Sequence, residues 1–367
     1  MEQKLLDAQM WEALREPDIK KALKDLTRAL NMGANPNAVY VDDFDNKWTS
    51  LTYITQTLHV SSPDFNYQEQ MVALLVDRGA NVNSRCSRNN MTPLMGAVEN
   101  NAVNVVKLLL DKGANANDIW HYELVNRVFG KDISRGWDNR SALGFARTPE
   151  MLQILLEHGA NPNKGADELG CYPLHMACEY LTVTRNSDKA LQMLNLLLEY
   201  GANPNMPTLK LLTPMMIVCG AMLDKRITHQ YEASSDDKLA AIKLLFEYGA
   251  NIDADSYGRT ALGFAAESED WPVVEALAFN GASINRDVVP FMPKEKEKRV
   301  WDKLRQIMNK QLEWERQKEE KRKQEEGIWK SSAAQMMNDL KHGKTVLNTM
   351  NETAPGAIVK KSDGRSI

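Results

Sequence analysis

Gly113-Ala-Asn-Ala-Asn117 is the stretch that decides the fold, because it recurs along the chain with little change. Successive copies begin 46, 34, 46, 42, 48 and 32 residues apart, so units of about 33 residues carry insertions of varying length. The other copies are Gly33-Ala-Asn-Pro-Asn37, Gly79-Ala-Asn-Val-Asn83, Gly159-Ala-Asn-Pro-Asn163, Gly201-Ala-Asn-Pro-Asn205, Gly249-Ala-Asn-Ile-Asp253 and Gly281-Ala-Ser-Ile-Asn285.

Each pentapeptide predicts a helix end followed by a turn. The glycine comes after an apolar run such as Val105–Leu110, and glycine ends helices in the left-handed conformation. The Asn and Pro residues that follow are turn formers. Upstream, a Thr or Ser predicts a helix N-cap, and a Pro after it fits the first helical position. These starts are Thr92-Pro-Leu94, Ser141-Ala-Leu143, Tyr172-Pro-Leu-His-Met-Ala177, Thr213-Pro-Met215 and Thr260-Ala-Leu262.

The resulting order of turn, short helix, loop, longer helix and glycine resembles the ankyrin repeat. Seven copies in register carry the resemblance, and the last, from Asp255 to Asn285, is closest to the family pattern. The resemblance implies an all-α solenoid of stacked helix-turn-helix units with hairpin-like fingers. We expect an ankyrin-repeat domain over residues 1–290, with about seven repeats of which the first and last are caps.

The chain ends are predicted to differ from the repeats. The first unit lacks the Thr-Pro-Leu-His start, and its cap is predicted to bury one face. Residues 291–326 are predicted to form a charged helix with an apolar stripe, and residues 327–367 a mostly flexible tail with one short amphipathic segment, Ala333–Leu340. The cap face comprises Leu5, Met10, Trp11, Leu14, Leu23, Leu26 and Leu30, and the stripe Val300, Leu304, Ile307 and Trp314.

Four insertions interrupt the repeat, and in a stacked array they must project from it. Three lie between the two helices of a unit, at Val60–Gln70, Leu181–Lys189 and Ala221–Asp237. The fourth, Ile119–Asn139, lies between units and is aromatic, with Trp120, His121, Tyr122, Phe129 and Trp137. Its aromatic residues fit two interpretations, a recognition surface or a small local core beneath a long loop.

Composition excludes several classes of function. The net charge of −4 and pI of about 6.0 give no basic field for nucleic acid. No apolar stretch approaches the roughly 18 residues of a membrane span, and the N-terminus does not resemble a signal peptide. Four cysteines are typical of a chain that keeps its thiols reduced. We therefore expect a cytoplasmic protein without a nucleic-acid or membrane partner.

No catalytic or metal motif is evident. Cys171, His175 and Cys178 have a spacing that suggests zinc, but no fourth ligand lies nearby. Cys178 and Cys219 occupy equivalent repeat positions where small apolar residues stand elsewhere, which predicts buried thiols without a disulfide. The resemblance implies structural hydrogen bonds for His175. We predict no enzyme, cofactor, metal site or small-molecule substrate.

What remains is recognition of a protein partner of unknown identity, as an adaptor or inhibitor. In this family the residues just before the capping Thr lie at the finger tips beside the concave face. Alternatives are a structural component anchored by the C-terminal helix, or a bacterial or viral effector; the oligomeric state is left open. The predicted partner-binding residues are Trp48, Met91, Trp120, Tyr122, Trp137, Arg140, Leu169 with Cys171, Leu212, Tyr257 and Arg259.

Overall fold

The computed structural model describes residues 2–58, 60–86, 90–128, 131–184, 186–221, 233–284 and 294–341. The chain divides into two compact units, Met1–Val300 and Trp301–Ile367. In chain order the described elements are α1 Glu2–Leu14, α2 Ile19–Asn31, β1 Tyr40–Val41, β2 Lys47–Trp48, α3 Ser50–Gln56, α4 Phe65–Asp77, α5 Pro93–Glu99, α6 Val103–Asp111, β3 Tyr122–Val128, β4 Lys131–Asp138, a 3-10 helix Ala142–Phe145, α7 Pro149–Glu157, α8 Pro173–Val183, α9 Ser187–Glu199, α10 Pro214–Val218, α11 Ser235–Glu247, α12 Ala261–Glu267, α13 Trp271–Phe279 and α14 Lys294–Lys341.

In the described part of the first unit, seven pairs of helical elements, one for each pentapeptide, form the stack, and this confirms the predicted all-α repeat architecture. Helices of neighbouring pairs pack on one another and bury a continuous row of apolar side chains, among them Leu75, Leu109 and Leu155. That burial is the main stabilising contribution, because a single pair cannot cover its own apolar face. None of the helices in the described ranges is long and apolar enough to cross a membrane.

The predicted helix starts are confirmed in most repeats. The Thr92 hydroxyl accepts a hydrogen bond from the Met95 N–H at 3.3 Å, and Thr260 caps Gly263 in the same way at 3.4 Å. The fourth repeat differs from the prediction. Ser141 does not cap its helix but donates its hydroxyl to the Lys164 carbonyl at 3.0 Å, and the element that follows is a 3-10 helix of four residues.

The second asparagine of the pentapeptide connects each repeat to the next. The Asn163 side chain donates to the Gly201 carbonyl at 2.7 Å and accepts from the Asn203 N–H at 2.7 Å. These residues were predicted only as turn formers, so this role was missed. We call the residues that make this double contact the asparagine ladder: Asn37, Asn83, Asn117, Asn163 and Asn205.

The first helix pair closes the ladder at its N-terminal end. Asp7 accepts from the Asn35 N–H at 2.8 Å and Gln3 donates to the Gly33 carbonyl at 3.1 Å, so α1 supplies the contacts that an asparagine makes elsewhere. The predicted cap face is largely correct, with Met10, Trp11, Leu14, Leu26 and Leu30 buried and Leu23 half-buried. Leu5 is exposed and was wrongly included, because it lies in the first turns of α1, where Glu2, Gln3 and Lys4 are also exposed.

The insertions are accommodated in two ways. Val60–Gln70 and Leu181–Lys189 largely lengthen helices, since α4 begins at Phe65, α8 ends at Val183 and α9 begins at Ser187. Ile119–Asn139 forms the antiparallel hairpin of β3 and β4, with an irregularity between Leu124 and Val125. Most of Ala221–Asp237 lies outside the described residues.

Helix α14 is longer than the predicted helix. It continues to Lys341, beyond the expected end at residue 326, and it includes Gly327 and the segment Ala333–Leu340. Of the predicted stripe, Val300, Leu304 and Ile307 are buried and Trp314 is exposed. Residues 342–367 of the predicted tail lie outside the described residues.

Candidate protein-binding surface at the finger tips

The fingers are short turns between a pentapeptide and the next first helix, and their polar residues shape them. In the fifth repeat the Asp167 carboxylate accepts from the Leu169 N–H at 2.9 Å and the Cys171 N–H at 2.8 Å. Burial raises the pKa of Asp167 in spite of these donors. In the sixth, the Thr208 hydroxyl accepts from the Leu212 N–H at 3.1 Å. Both of these fingers are therefore held by hydrogen bonds within the turn.

Neighbouring fingers are in direct contact. The Leu209 N–H donates to the Leu169 carbonyl at 3.0 Å, and the Ser256 hydroxyl donates to the Lys210 carbonyl at 2.9 Å. Gly170 allows the first contact, because a Cβ at this position would lie 2.7 Å from the Leu209 nitrogen. The tips of three successive fingers consequently form one surface.

This surface is apolar and largely open to solvent. Leu209, Leu211 and Tyr257 are 73%, 44% and 70% exposed, and Leu169 is half-buried. We call these four residues the tip ridge. Single exposed apolar residues are ordinary, but a group of them on adjacent rigid turns is typical of an interaction site.

Only two of the predicted binding residues, Leu169 and Tyr257, lie on the tip ridge. Trp48, Met91 and Leu212 are buried, and so is Cys171. All four stand directly before the capping position, and the tight finger turn directs the residue there inward. They belong to the packing of the repeats, and we leave them out of the binding surface.

Trp48 illustrates this inward position. Its indole Nε1 donates to Asp42 at 3.0 Å, and its ring meets the Tyr53 ring edge-on with centroids 5.8 Å apart. Loss of hydration raises the pKa of Asp42, but donation from Trp48, Asn46 and Phe44 outweighs it and lowers the pKa to about 2. The Asp42 carboxylate thus organises the first finger.

Arg140 and Arg259 are anchored in a similar way. The Arg140 guanidinium lies over the rings of Trp120 and Phe145, at 5.1 and 4.6 Å from their centroids, and pairs with Asp138 at 2.8 Å. Arg259 lies 4.1 Å from the centroid of the Phe264 ring and pairs with Glu267. Burial lowers the pKa of Arg259. Both arginine side chains are therefore held by aromatic rings and a carboxylate of the repeats.

The structure describes only part of the aromatic insertion Ile119–Asn139. Trp120, half-buried at its base, packs against Phe145 with ring centroids 5.4 Å apart, as the local-core interpretation requires. The side chains of Tyr122 and Trp137 lie outside what the structure describes, as does Phe129. Their predicted role in binding stays a prediction.

Two of the tip-ridge residues, Leu209 and Leu211, were missed by sequence reasoning. The signal was present in Leu209-Lys-Leu-Leu212, where three leucines precede the capping Thr213 and only one is needed for the core. Phe44, on the first finger, is also exposed but is not part of the tip ridge.

The candidate metal and nucleophile residues are structural. The buried His175 accepts from the Tyr172 N–H at 3.1 Å and donates to the Met206 carbonyl at 2.8 Å. Burial lowers its pKa to about 4 and raises the pKa of Cys219 to about 12. Burial also raises the pKa values of Cys171 and Cys178, and the four cysteines, all within the described ranges, are not joined in disulfides. Within the described residues no group of three His, Cys, Asp or Glu side chains could hold a metal ion.

Comparison with known proteins supports the repeat assignment. A family model described as ankyrin repeats in three copies matches residues 18–119 and 207–287, and a single ankyrin-repeat model matches residues 169–209. Together the matches cover more than half of the chain. The comparison with curated proteins gave no match.

Two solved ankyrin repeat domains are similar to this chain. That of Bcl-3, described as a unique member of the IkappaB protein family, is 22% identical, with 70% of this chain and 96% of that chain covered and a TM-score of 0.46. One from Acinetobacter baumannii is 20% identical, with 66% and 98% covered and a TM-score of 0.46.

Proposed function

This chain belongs to the ankyrin-repeat family, and we propose that it acts without catalysis, as an adaptor or inhibitor that holds a protein partner on its fingers. Repeats of this family are generally protein-protein interaction modules. The adaptor or inhibitor role, and a cytoplasmic site of action, are our proposal.

The observation that carries this proposal is the tip ridge. Its residues Leu209, Leu211 and Tyr257 are exposed. The backbone of the fingers that carry them is held by hydrogen bonds between neighbouring fingers. A rigid apolar surface loses little conformational entropy when a partner covers it, and the covered area contributes about 25 cal/mol per Å² before the costs of association.

The buried nucleophiles support a role without catalysis. A catalytic cysteine requires an accessible thiolate, whereas Cys171, Cys178 and Cys219 are buried and have raised pKa values. His175 is buried with both ring nitrogens engaged by the backbone. These groups stabilise the repeats and do not face a substrate.

The proposal is tested by quantitative affinity capture with the intact protein and its variants. Leu209→Ser and Tyr257→Ala should each reduce recovery of a specific partner, while Phe44→Ser, at an exposed residue of the first finger outside the tip ridge, serves as the matched control. A partner set that does not change with either tip variant would place the binding surface elsewhere.

A second candidate function, a structural component of a larger assembly, is favoured by α14. Ile328, Trp329 and Met337 are exposed near the C-terminal end of this helix, with Trp329 at 77%. In the full chain, replacing Ile328 and Trp329 by serine should abolish incorporation into an assembly and leave binding at the tip ridge unchanged. The tip-ridge variants should have the opposite effect.

A further inference from the structure

Two residues of the tip ridge have an unfavourable backbone conformation. Leu211 has φ +58° and Tyr257 has φ +52°, in the left-handed region where the Cβ of an L-residue crowds the backbone. At other finger tips this region is occupied by Asp45, Asn90 and Gly170. Asp, Asn and Gly tolerate it, but a bulky apolar residue there is an outlier.

The turn at Tyr257 shows the conflict clearly. The N–H of Ser256 donates to the Arg259 carbonyl at 2.9 Å and the N–H of Arg259 donates back at 3.1 Å, so Tyr257 and Gly258 are the two central residues of a tight hairpin. Both have positive φ, and Gly258 has φ +80°. A hairpin of this kind favours Asn-Gly or Asp-Gly, so the fold itself favours Asn over Tyr at position 257.

The repeats gain little from these two side chains. Leu211 is 44% exposed and Tyr257 is 70% exposed, so neither is needed to fill the core. Left-handed strain at one residue lowers the ratio of folded to unfolded protein by about 5- to 30-fold. Strain of this kind is concentrated at functional sites, where the conformation presents a group to a ligand.

We propose that Leu211 and Tyr257 are specificity-determining residues, which their left-handed backbone presents, beside Leu209, to an apolar partner segment that carries Lys or Arg. This inference rests on the proposed function and adds the chemistry of the partner and the residues that select it.

The charge of the partner follows from the surroundings of the ridge. In its three fingers Glu168 and Asp255 are exposed, and so are Lys164 and Lys210. The acidic excess belongs to the repeats as a whole, since residues 1–290 contain 27 Lys and Arg against 37 Asp and Glu. An apolar segment with basic residues is therefore attracted to the ridge, and an acidic one is repelled.

The strain is tested first, and this requires no partner. Tyr257→Asn should raise the folded-to-unfolded ratio of the intact protein by about 5- to 30-fold in urea titration. Leu211→Gly should raise it by less, because glycine is freer in the unfolded chain and the part-buried leucine side chain is lost. Gly258→Ala is the matched control, because it adds a Cβ at φ +80° in open space and should lower the ratio by a similar factor. Unchanged or reduced stability of both tip variants would overturn the inference.

The chemistry of the partner is tested with a phage-displayed library of random peptides selected on the intact protein. We expect selected peptides to combine apolar residues with Lys or Arg. Binding of the synthetic peptides should fall at least tenfold with Leu211→Gly or Tyr257→Asn and should be unchanged with Phe44→Ser. Acidic peptides, polar peptides, or no enriched peptide would contradict the inference.

The two proposals fail in different ways. If peptides bind the protein but are insensitive to both tip variants, the inference about Leu211 and Tyr257 is wrong and the binding function stands. If affinity capture also finds no partner that depends on the fingers or on the rest of the repeats, the proposed function itself is wrong.

Discussion

The asparagine ladder and the tip ridge are close in sequence, with Asn205 only four residues before Leu209, yet they obey different rules. Along the ladder, glycine recurs at each helix end with positive φ, and the same asparagine contact joins successive repeats. At the tips, the left-handed positions hold Asp, Asn, Gly, Leu or Tyr. The ladder keeps the residues that its conformation favours, and the ridge does not.

This difference separates stability from recognition within one unit. Ladder residues satisfy backbone groups of the next repeat, so their side chains are already used by the fold. Tip-ridge residues face solvent on a backbone that other residues hold. Changes in the ladder region should therefore lower the free energy of unfolding, and changes on the ridge should weaken binding without lowering it.

The largest expected effect distinguishes conformational strain from close contact. Gly159 and Gly165 both have φ +80°, but a Cβ on Gly159 meets open space, whereas one on Gly165 would lie 2.3 Å from the Ser141 nitrogen. Gly165→Ala should reduce the free energy of unfolding by about 3 kcal/mol or more, and Gly159→Ala by about 1–2 kcal/mol. Urea titration of both variants measures this, and equal losses would show that the fingers do not pack closely.

The next effect concerns His175, which bonds to two backbone groups from inside the stack. His175→Leu leaves the Tyr172 N–H and the Met206 carbonyl without their partner, and should cost about 2–4 kcal/mol at pH 7. A loss below about 1 kcal/mol in urea titration would mean that water replaces the histidine at this site.

The same residue predicts a pH dependence. Burial lowers the pKa of His175 to about 4, below the value of about 6.5 expected when unfolded, so the unfolded chain binds the proton more tightly. The contribution of His175 is fully present above pH 6.5 and is lost as the pH falls toward 4. Between pH 7 and 5 it should decrease by about 2 kcal/mol, and this part of the decrease should be missing in His175→Leu.

The ladder itself gives a smaller effect. Asn163→Ala removes the contacts to Gly201 and Asn203, but both backbone groups are near solvent, so the expected loss is about 1 kcal/mol. Asn195→Ala is the control, because Asn195 bonds only to Glu199 on the surface of its own helix and its loss should stay within about 0.5 kcal/mol. Equal losses of unfolding free energy in the two variants would show that the ladder contact does not stabilise the stack.

The helix ends and helix starts of the repeats could be predicted from the sequence, and the tip ridge only in part. Helix ends and starts depend on local conformation, which Gly113 and Thr92 report directly. The ladder was missed because its contacts join residues about 40 positions apart, such as Asn163 and Asn203. Local turn chemistry and contact with the next repeat favour the same residue, so the sequence does not separate them.

At the tips, the direction of each side chain depends on the turn. Leu211 and Leu212 are neighbours of the same type, yet one is exposed and the other buried. The left-handed φ of Leu211 turns the chain so that the next residue faces the core. A sequence pattern of leucines does not contain this information, and it led to Leu212 where the structure exposes Leu209 and Leu211.

The smallest change in stability is expected at Leu209 of the tip ridge, and it tests the separation most sharply. Leu209 is 73% exposed, and its backbone N–H, which a substitution retains, makes the contact to Leu169. Leu209→Ser should therefore alter the free energy of unfolding by less than about 0.5 kcal/mol. Binding of a partner or selected peptide should nevertheless weaken, because the apolar area lost at a rigid site is not recovered elsewhere. If Leu209→Ser lost as much stability as Asn163→Ala, the ridge would contribute to the stability of the stack. The division between the asparagine ladder and the tip ridge would then no longer hold.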